Sequence, residues 1–192
     1  NRGESSGVKR NMAVLTNEGI VGRVLRTTAS TADVVTVVDT AAEVALTAGL
    51  RDIFPDARVL GEEAAHADPA RLDWTADDRP LWIVDPLDGT LNFAKGDDGF
   101  GIMVSFASHG RAVAGWIYLA ARDELFVAED GNGAYRNSRP LSVPALREGR
   151  ALSGTFSSRF MPPDLRTHIT ARTTGRYAQA VLSGAAAVEY TE

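Results

Sequence analysis

Cysteine is absent from the 192 residues. Disulfides, thiolate zinc sites, iron–sulfur clusters and cysteine nucleophiles are therefore excluded. Histidine is scarce: His66, His109 and His168 lie scattered in polar, loop-like stretches. They read as surface residues, not as a catalytic set. No apolar run approaches the roughly 20 residues that a membrane-spanning helix needs. The stretch Asn1 to Arg10 is polar and lacks the apolar core of a signal peptide. Positive charge is also in deficit, with 20 Lys and Arg against 25 Asp and Glu, a formal net charge of −5. Such a molecule has no overall field to attract a nucleic acid polymer or an anionic membrane surface. These absences describe a soluble cytoplasmic protein, with neither nucleic acid nor membrane as a partner.

What is present is an ordinary globular composition, 44% apolar. The length suits one domain, or one domain with part of a second. No repeat, low-complexity tract or Pro/Gly-rich linker divides residues 1–192. Val8 to Leu25, with scattered apolar residues, reads as a helix, and Ala29 to Asp33 as a loop. The β-branched run Val34 to Val38 reads as a strand. Thr40 and Glu43 have capping-box spacing, and Ala42, Leu46, Leu50 and Ile53 recur at helical spacing. A helix is expected from Thr40 to Phe54, stopped by Pro55. Arg58 to Gly61 reads as a short strand and Ala64 to Arg79 as a loop. The continuous apolar run Leu81 to Val84 reads as a strand buried on both faces.

Three further strands are expected over Phe100 to Ala107, Ala112 to Leu119 and Glu124 to Glu129. Ser108-His109-Gly110 and Gly131-Asn132-Gly133 mark turns, so this region is an antiparallel meander. Arg150 to Ser157 is a strand candidate. Pro162 to Thr173 and the Ala-rich Tyr177 to Tyr190 read as helices. Helix, sheet, helix, sheet in that order predicts a layered α+β fold, an αβαβα sandwich.

Carboxylates stand where the chain is about to change direction. Asp39 follows one strand run, Glu62 and Glu63 follow a second, and Asp85 and Asp88 follow a third. Oxygen donors of this kind suit hard cations such as magnesium. Gathered carboxylates otherwise raise each other's pKa, a penalty that a cation removes. In Asp85-Pro86-Leu87-Asp88-Gly89-Thr90, Pro86 fixes one backbone angle and Gly89 permits a tight turn. The two aspartates can then point into one cavity, and a peptide carbonyl between them can act as another hard ligand. Amides near Thr90 suit phosphate oxygens.

Each of these residues also has a plainer reading. Asp39 fits a helix cap as well as a metal ligand. Glu62-Glu63, taken alone, reads as a solvated pair. Trp82 and Phe93 read as core. Lys95, Asp97 and Asp98 read as solvated.

Leu60-Gly61-Glu62-Glu63, Trp82-Ile83-Val84-Asp85-Pro86-Leu87-Asp88-Gly89-Thr90 and Asn92-Phe93 resemble the two leading motifs of the inositol monophosphatase family. Val35-Thr36-Val37-Val38-Asp39 is similar to its Val-Thr-x-x-Asp element. Asp123 to Ala128 and Gly131 to Asn137 resemble its later sheet. The resemblance runs over 33–143, the metal- and phosphate-binding part. It leaves 144–192 as the start of a C-terminal α/β part.

The resemblance implies the inositol monophosphatase / fructose-1,6-bisphosphatase fold and two or three Mg2+ ions. Glu62, Asp85 and the Leu87 carbonyl would hold the first ion, and Asp85 with Asp88 the second. Glu63 and Asp39 would support a third. Thr90 with Glu62 would orient a metal-activated water for in-line attack. Asp88 and the amides of Gly89 and Thr90 would hold the phosphate, with no covalent phosphoenzyme. The implied activity is hydrolysis of a small phosphate monoester. Inositol monophosphate is the leading substrate. The alternatives are 3′(2′),5′-bisphosphate nucleotides, histidinol phosphate and fructose 1,6-bisphosphate. A homodimer and inhibition by lithium are implied as well.

The chain departs from the family in three places. The family's C-terminal Trp-Asp motif is not found, so the C-terminal part is expected to be incomplete, as in a piece of a longer protein. Asp97-Asp98 stands where relatives often carry Phe-Pro. Met103 also differs from the common pattern. The reading from another class is a non-catalytic interaction or regulatory protein, or a cation-binding module.

Overall fold

A computed structural model describes residues 3–10, 12–16, 19–27, 32–143, 152–155, 162–173, 177–181 and 185–191. β1 (Ala13–Thr16), β2 (Gly19–Thr27) and β3 (Ala32–Thr36) form a small antiparallel sheet. Within the helix expected over Val8 to Leu25, Ala13–Thr16 and the start of Gly19–Thr27 are therefore strands, and 11, 17 and 18 lie outside the described residues. Val14, Thr16, Ile20, Val21 and Val24 are β-branched, and Gly19 and Gly22 disfavour a helix. Of the loop expected over Ala29 to Asp33, Ala32 and Asp33 open β3, and 29–31 lie outside the described residues.

β3 stops at Thr36 because Thr36 caps α1 (Val37–Ile53). The Thr36 hydroxyl oxygen accepts from the amides of Val38 and Asp39. The Asp39 carboxylate accepts in return from the Thr36 amide, at 2.8 Å, and from the Thr36 hydroxyl. The capping box is thus Thr36–Asp39, not Thr40–Glu43, and the helix begins at Val37. Both pairs have the right spacing. The difference is that Glu43 is engaged elsewhere, with the amides of Glu63 and Ala64.

After α1 come β4 (Arg58–Gly61), α2 (Glu62–Ala67) and a 3-10 stretch (Pro69–Ala76). The expected loop from Ala64 to Arg79 is largely helical. Arg58 and Arg71 both stack on Trp74, which gives that polar stretch a packed anchor. β5 (Leu81–Asp88), α3 (Thr90–Lys95), β6 (Gly101–Ser108), β7 (Arg111–Leu119), β8 (Glu124–Glu129), β9 (Gly133–Arg136) and β10 (Arg139–Leu141) follow. They build a seven-stranded sheet in the order β10-β9-β8-β7-β6-β5-β4. The meander is antiparallel as expected, and β4 joins β5 in parallel. Ile83 is 36% exposed, so β5 is not buried on both faces.

One face of this sheet takes α1. Leu46, Leu50 and Phe54 pack on Val59, Trp82, Val84, Phe106 and Trp116. Trp82 is core, with ring centroids 4.5 Å from Phe106 and 5.8 Å from Trp116. Toward the C-terminus, β11 (Leu152–Thr155) pairs in parallel with β12 (Tyr177–Val181), with α4 (Pro163–Thr173) between them in sequence. Residues 150, 151, 156 and 157 of the expected strand lie outside the described residues. Of the helix expected over Tyr177 to Tyr190, Tyr177–Val181 is a strand and Ala186–Glu189 is the short α5, with 182–184 outside the described residues. Alanine favours helix locally, but pairing with β11 overrides that preference for Tyr177–Val181. α5 packs against the sheet in a second cluster, where Ala185, Ala187 and Val188 meet Leu119, Met103, Ile117 and Phe126.

The fold is a layered α+β arrangement about a central sheet. Among the described residues, no helix is long and apolar enough to cross a membrane. Leu119 is 1% exposed and centres the second cluster. Leu119→Ala should lower the unfolding free energy by about 2–5 kcal/mol. Denaturant titration measures this. A loss no larger than that of a surface substitution would refute the packing described.

Candidate metal and phosphate site

The parallel register of β4 and β5 creates the site. Leu60 pairs with Ile83 and Gly61 with Val84, so the next residues, Glu62 and Asp85, emerge side by side. Their carboxyl groups share a hydrogen bond. Both are half-buried, and both are pushed up to about 7. For Glu62 the main cause is burial, followed by the charges of Glu63 and Asp39. For Asp85 it is burial, followed by the charges of Glu62 and Asp88.

The turn after Asp85 is shaped by its own residues. Pro86 has no amide to donate, and the β5–β6 ladder shifts register between Asp85 and Asp88. The Asp85 carboxylate accepts from the Leu87 amide at 3.1 Å. Gly89 has φ 86°, in the left-handed region, and caps α3. A side chain there would also collide with the Gly99 carbonyl and with Ala185. Thr90 therefore starts α3 at a fixed place. Its hydroxyl lies 3.0 Å from the Leu87 carbonyl and 3.2 Å from Asp39 Oδ1. Asp39, 1% exposed, is thus both the cap of α1 and a partner of Thr90. The two sequence readings of Asp39, cap or site residue, meet in one side chain.

Asp88, whose charge acts on both Glu62 and Asp85, is also bound to the C-terminal segment. Its Oδ2 accepts from the Ala187 amide at 2.5 Å. Burial raises its pKa and the Ala187 amide offsets part of that rise, while the charge of Glu189 adds to it. The amides of Ala186 and Gly89 also face Asp88. Asp88 therefore ties the motif to α5, a link that the motif itself did not announce.

Glu62, Asp85, Asp88, Thr90 and Asp39 are thus neighbours, and Glu63 is close enough for its charge to raise Glu62. Among the described residues, no three His, Asp or Glu side chains gather closely enough to hold a metal ion as they stand. Local donors hold the acids instead: Thr36 and Thr90 for Asp39, Leu87 for Asp85, and Ala187 for Asp88. The donor chemistry fits a hard divalent cation, being all oxygen, anionic and partly desolvated. A cavity of about 630 Å3 opens beside Glu62 and Asp85, walled by Leu60, Ala65, Leu72 and Arg10. Sequence reasoning missed Arg10 at this wall, and it missed Glu43, whose buried carboxylate holds the start of α2. His66, His109 and His168 are exposed, as are Lys95, Asp97 and Asp98, and Asp98 pairs with Arg122. Phe93 is partly buried, edge-on to Phe100.

The raised pair makes a pH prediction. The ordinary values are 4.5 for Glu62 and 3.8 for Asp85, and the folded values are about 7. Between those limits the folded chain holds more protons than the unfolded chain. In chelator, the pair's contribution should therefore fall as pH rises from about 4 to about 7, then level off. Denaturant unfolding of the wild type and Glu62→Gln across that window isolates it. Parallel pH curves for the two proteins would refute the coupling.

Comparisons with known proteins identify the family. The model of the inositol monophosphatase family matches residues 8–191. Inositol monophosphatase 2 of Solanum lycopersicum is 38% identical over 111 residues, 58% of this chain and 41% of that protein. The histidinol-phosphatase of Chlorobaculum parvum is 33% identical over 130 residues, 65% of this chain and 46% of that protein. Extragenic suppressor protein suhB of Bartonella henselae superposes with a TM-score of 0.66 at 30% identity, covering 83% of this chain and 60% of that one. The chain spans less than half the length of these two curated relatives. With its fold, its motif and nearly its whole length matched, the chain belongs to the inositol monophosphatase family.

Proposed function

We propose that the protein is a magnesium-dependent phosphomonoesterase acting on a small phosphorylated metabolite. One observation carries this reading. The half-buried Glu62–Asp85 pair stands just past the last paired residues of the parallel strands β4 and β5, beside Asp88 and the Asp39–Thr90 contact. Such a cluster is unfavourable without a cation and useful with one. The family to which the chain belongs is metal-dependent.

Glu62, Asp85 and the Leu87 carbonyl would hold one ion, and Asp85 with Asp88 a second. Glu63 and Asp39 would support a third. A bound cation supplies charge to the phosphoryl oxygens and lowers the pKa of water. The chain's own groups do the rest. Thr90 can donate its proton to Asp39, which leaves its oxygen free to accept from a water and aim it. Glu62 orients the same water from the other side. Asp88 and the amides of Gly89 and Thr90 would receive the phosphate. Inositol monophosphate is the leading substrate. A relative named histidinol-phosphatase makes histidinol phosphate the first alternative.

The test is inorganic phosphate release from a panel of phosphate monoesters, with magnesium and then with excess chelator. Magnesium-dependent release is expected, and its ranking gives the substrate. Magnesium binding without release from any of them would favour a non-catalytic relative. Thr90→Ala should lower kcat by at least about a hundredfold with magnesium affinity unchanged. Selective loss of magnesium binding would count against the role given to Thr90. Asp88→Asn keeps an oxygen for the Ala187 amide, so the fold should survive while turnover is lost. Normal turnover would remove Asp88 from the site.

A further inference from the structure

Three buried polar side chains occur among the described residues: Thr36, Asp39 and Glu43. The capping box of α1 accounts for the first two. Glu43, 9% exposed, has no such role in its own helix. It stands one turn after Asp39 and reaches across to α2. Its two oxygens are divided between two amides. Oε2 accepts from Glu63 at 2.8 Å and Oε1 accepts from Ala64 at 3.0 Å. These are the second and third amides of α2, the ones an N-cap side chain normally satisfies. The N-cap of α2 is Gly61, which makes no side-chain cap. A carboxylate from the preceding helix does the capping instead.

Gly61 supports the same conclusion independently. Its φ of −90° and ψ of 159° suit any residue, so glycine is not required by conformation. What it does is leave room for Glu43, whose carboxyl group a side chain at 61 would push aside. A Cβ there would meet the Glu43 carboxyl carbon and both oxygens at well under 3.0 Å. The glycine lets Glu43 lie directly on the chain where α2 begins.

We infer that Glu43 is a positioning residue, which fixes the backbone from which Glu62 and Glu63 enter the cation site. The inference rests on the function proposed above. Glu43 grips the amides of Glu63 and Ala64, and so sets where the first two side chains of α2 leave the chain. This places an acid against the backbone at the start of α2, where Glu62 and Glu63 stand. The exposed amides at the start of α2 are what make it tolerable. Groups that orient ligands without touching the metal typically change its affinity by about 10–100-fold.

The experiment uses the full chain with magnesium alone as the probe. Calorimetry gives the Mg2+ dissociation constant, and amide exchange by NMR is followed in the cation-free chain. Circular dichroism checks the fold. In Glu43→Gln, one oxygen is replaced by a donor that faces an amide. The Glu63 and Ala64 amides should lose protection before any cation is added. The Mg2+ dissociation constant should rise by about 10–100-fold. Gly61→Ala should reproduce both effects with no change of charge, and it serves as the test if Glu43→Gln does not fold. Adding Glu43→Asp to Gly61→Ala shortens the acid and should recover part of the affinity. Folded Glu43→Gln or Gly61→Ala chains that bind Mg2+ as the wild type does would overturn the inference and leave the proposed function standing, even if both melt earlier. A wild-type chain that binds no Mg2+ would overturn the proposed function itself, and the positioning role with it.

Discussion

The pairing of β4 with β5 is the constraint on which the site depends. It is the parallel pair in an otherwise antiparallel seven-stranded sheet. A parallel neighbour needs a crossover, and α2 with the 3-10 stretch supplies it. Both strands therefore end on the same edge of the sheet. The register then decides the chemistry, because Gly61 opposite Val84 leaves Glu62 beside Asp85. A slip of one residue would turn one carboxyl to the other face. Nothing in the repulsion between two acids favours this placement. The apolar interior around Val59, Trp82 and Val84 holds the register, and the acids are carried to their positions by it.

Asp39 shows how the fold and the site share one group. Its Oδ2 is bound into the start of α1 by the Thr36 amide and hydroxyl. Its Oδ1 is left for Thr90, from a distant part of the chain. A side chain held on one oxygen by a helix cap has little freedom on the other. The cap that starts α1 is therefore also what aims Asp39 at Thr90. Thr90 in turn is set by Gly89, whose left-handed conformation and close contacts admit no side chain.

These relations explain what could be read in the sequence and what could not. The motif from Asp85 to Thr90 was legible because its signals are local: a proline without a donor, a glycine at a left-handed turn, and two acids in between. The strands of the meander were legible for the same reason. The start of α1 was not, because Thr36–Asp39 and Thr40–Glu43 have the same spacing. Only the distant amides of Glu63 and Ala64 decide between them. Glu43 was missed on the same ground. Ile83 sits in a run that reads as fully buried, yet it is exposed beside the cavity that also borders Glu62 and Asp85. At β1 and β2 the scattered apolar residues suggested a helix, but their β-branched residues and glycines favour strands; at β12 pairing with β11 outweighed the helix preference of alanine.

The overall charge of −5 poses a question for a chain proposed to take anions. Two local features bear on it. Among the described residues, Arg10 is the one arginine or lysine at the wall of the cavity beside Glu62 and Asp85, and by itself it does not balance two acids there. The acids themselves are the stronger feature. With one proton between them the pair still carries a single negative charge, and only with divalent cations would it become an attractive centre. On that account the negative charge of the site is not an obstacle to binding a phosphate monoester. Under the proposed function it would be the means of concentrating positive charge for a phosphate, and it would confine that charge to the end of the sheet where β4 stops.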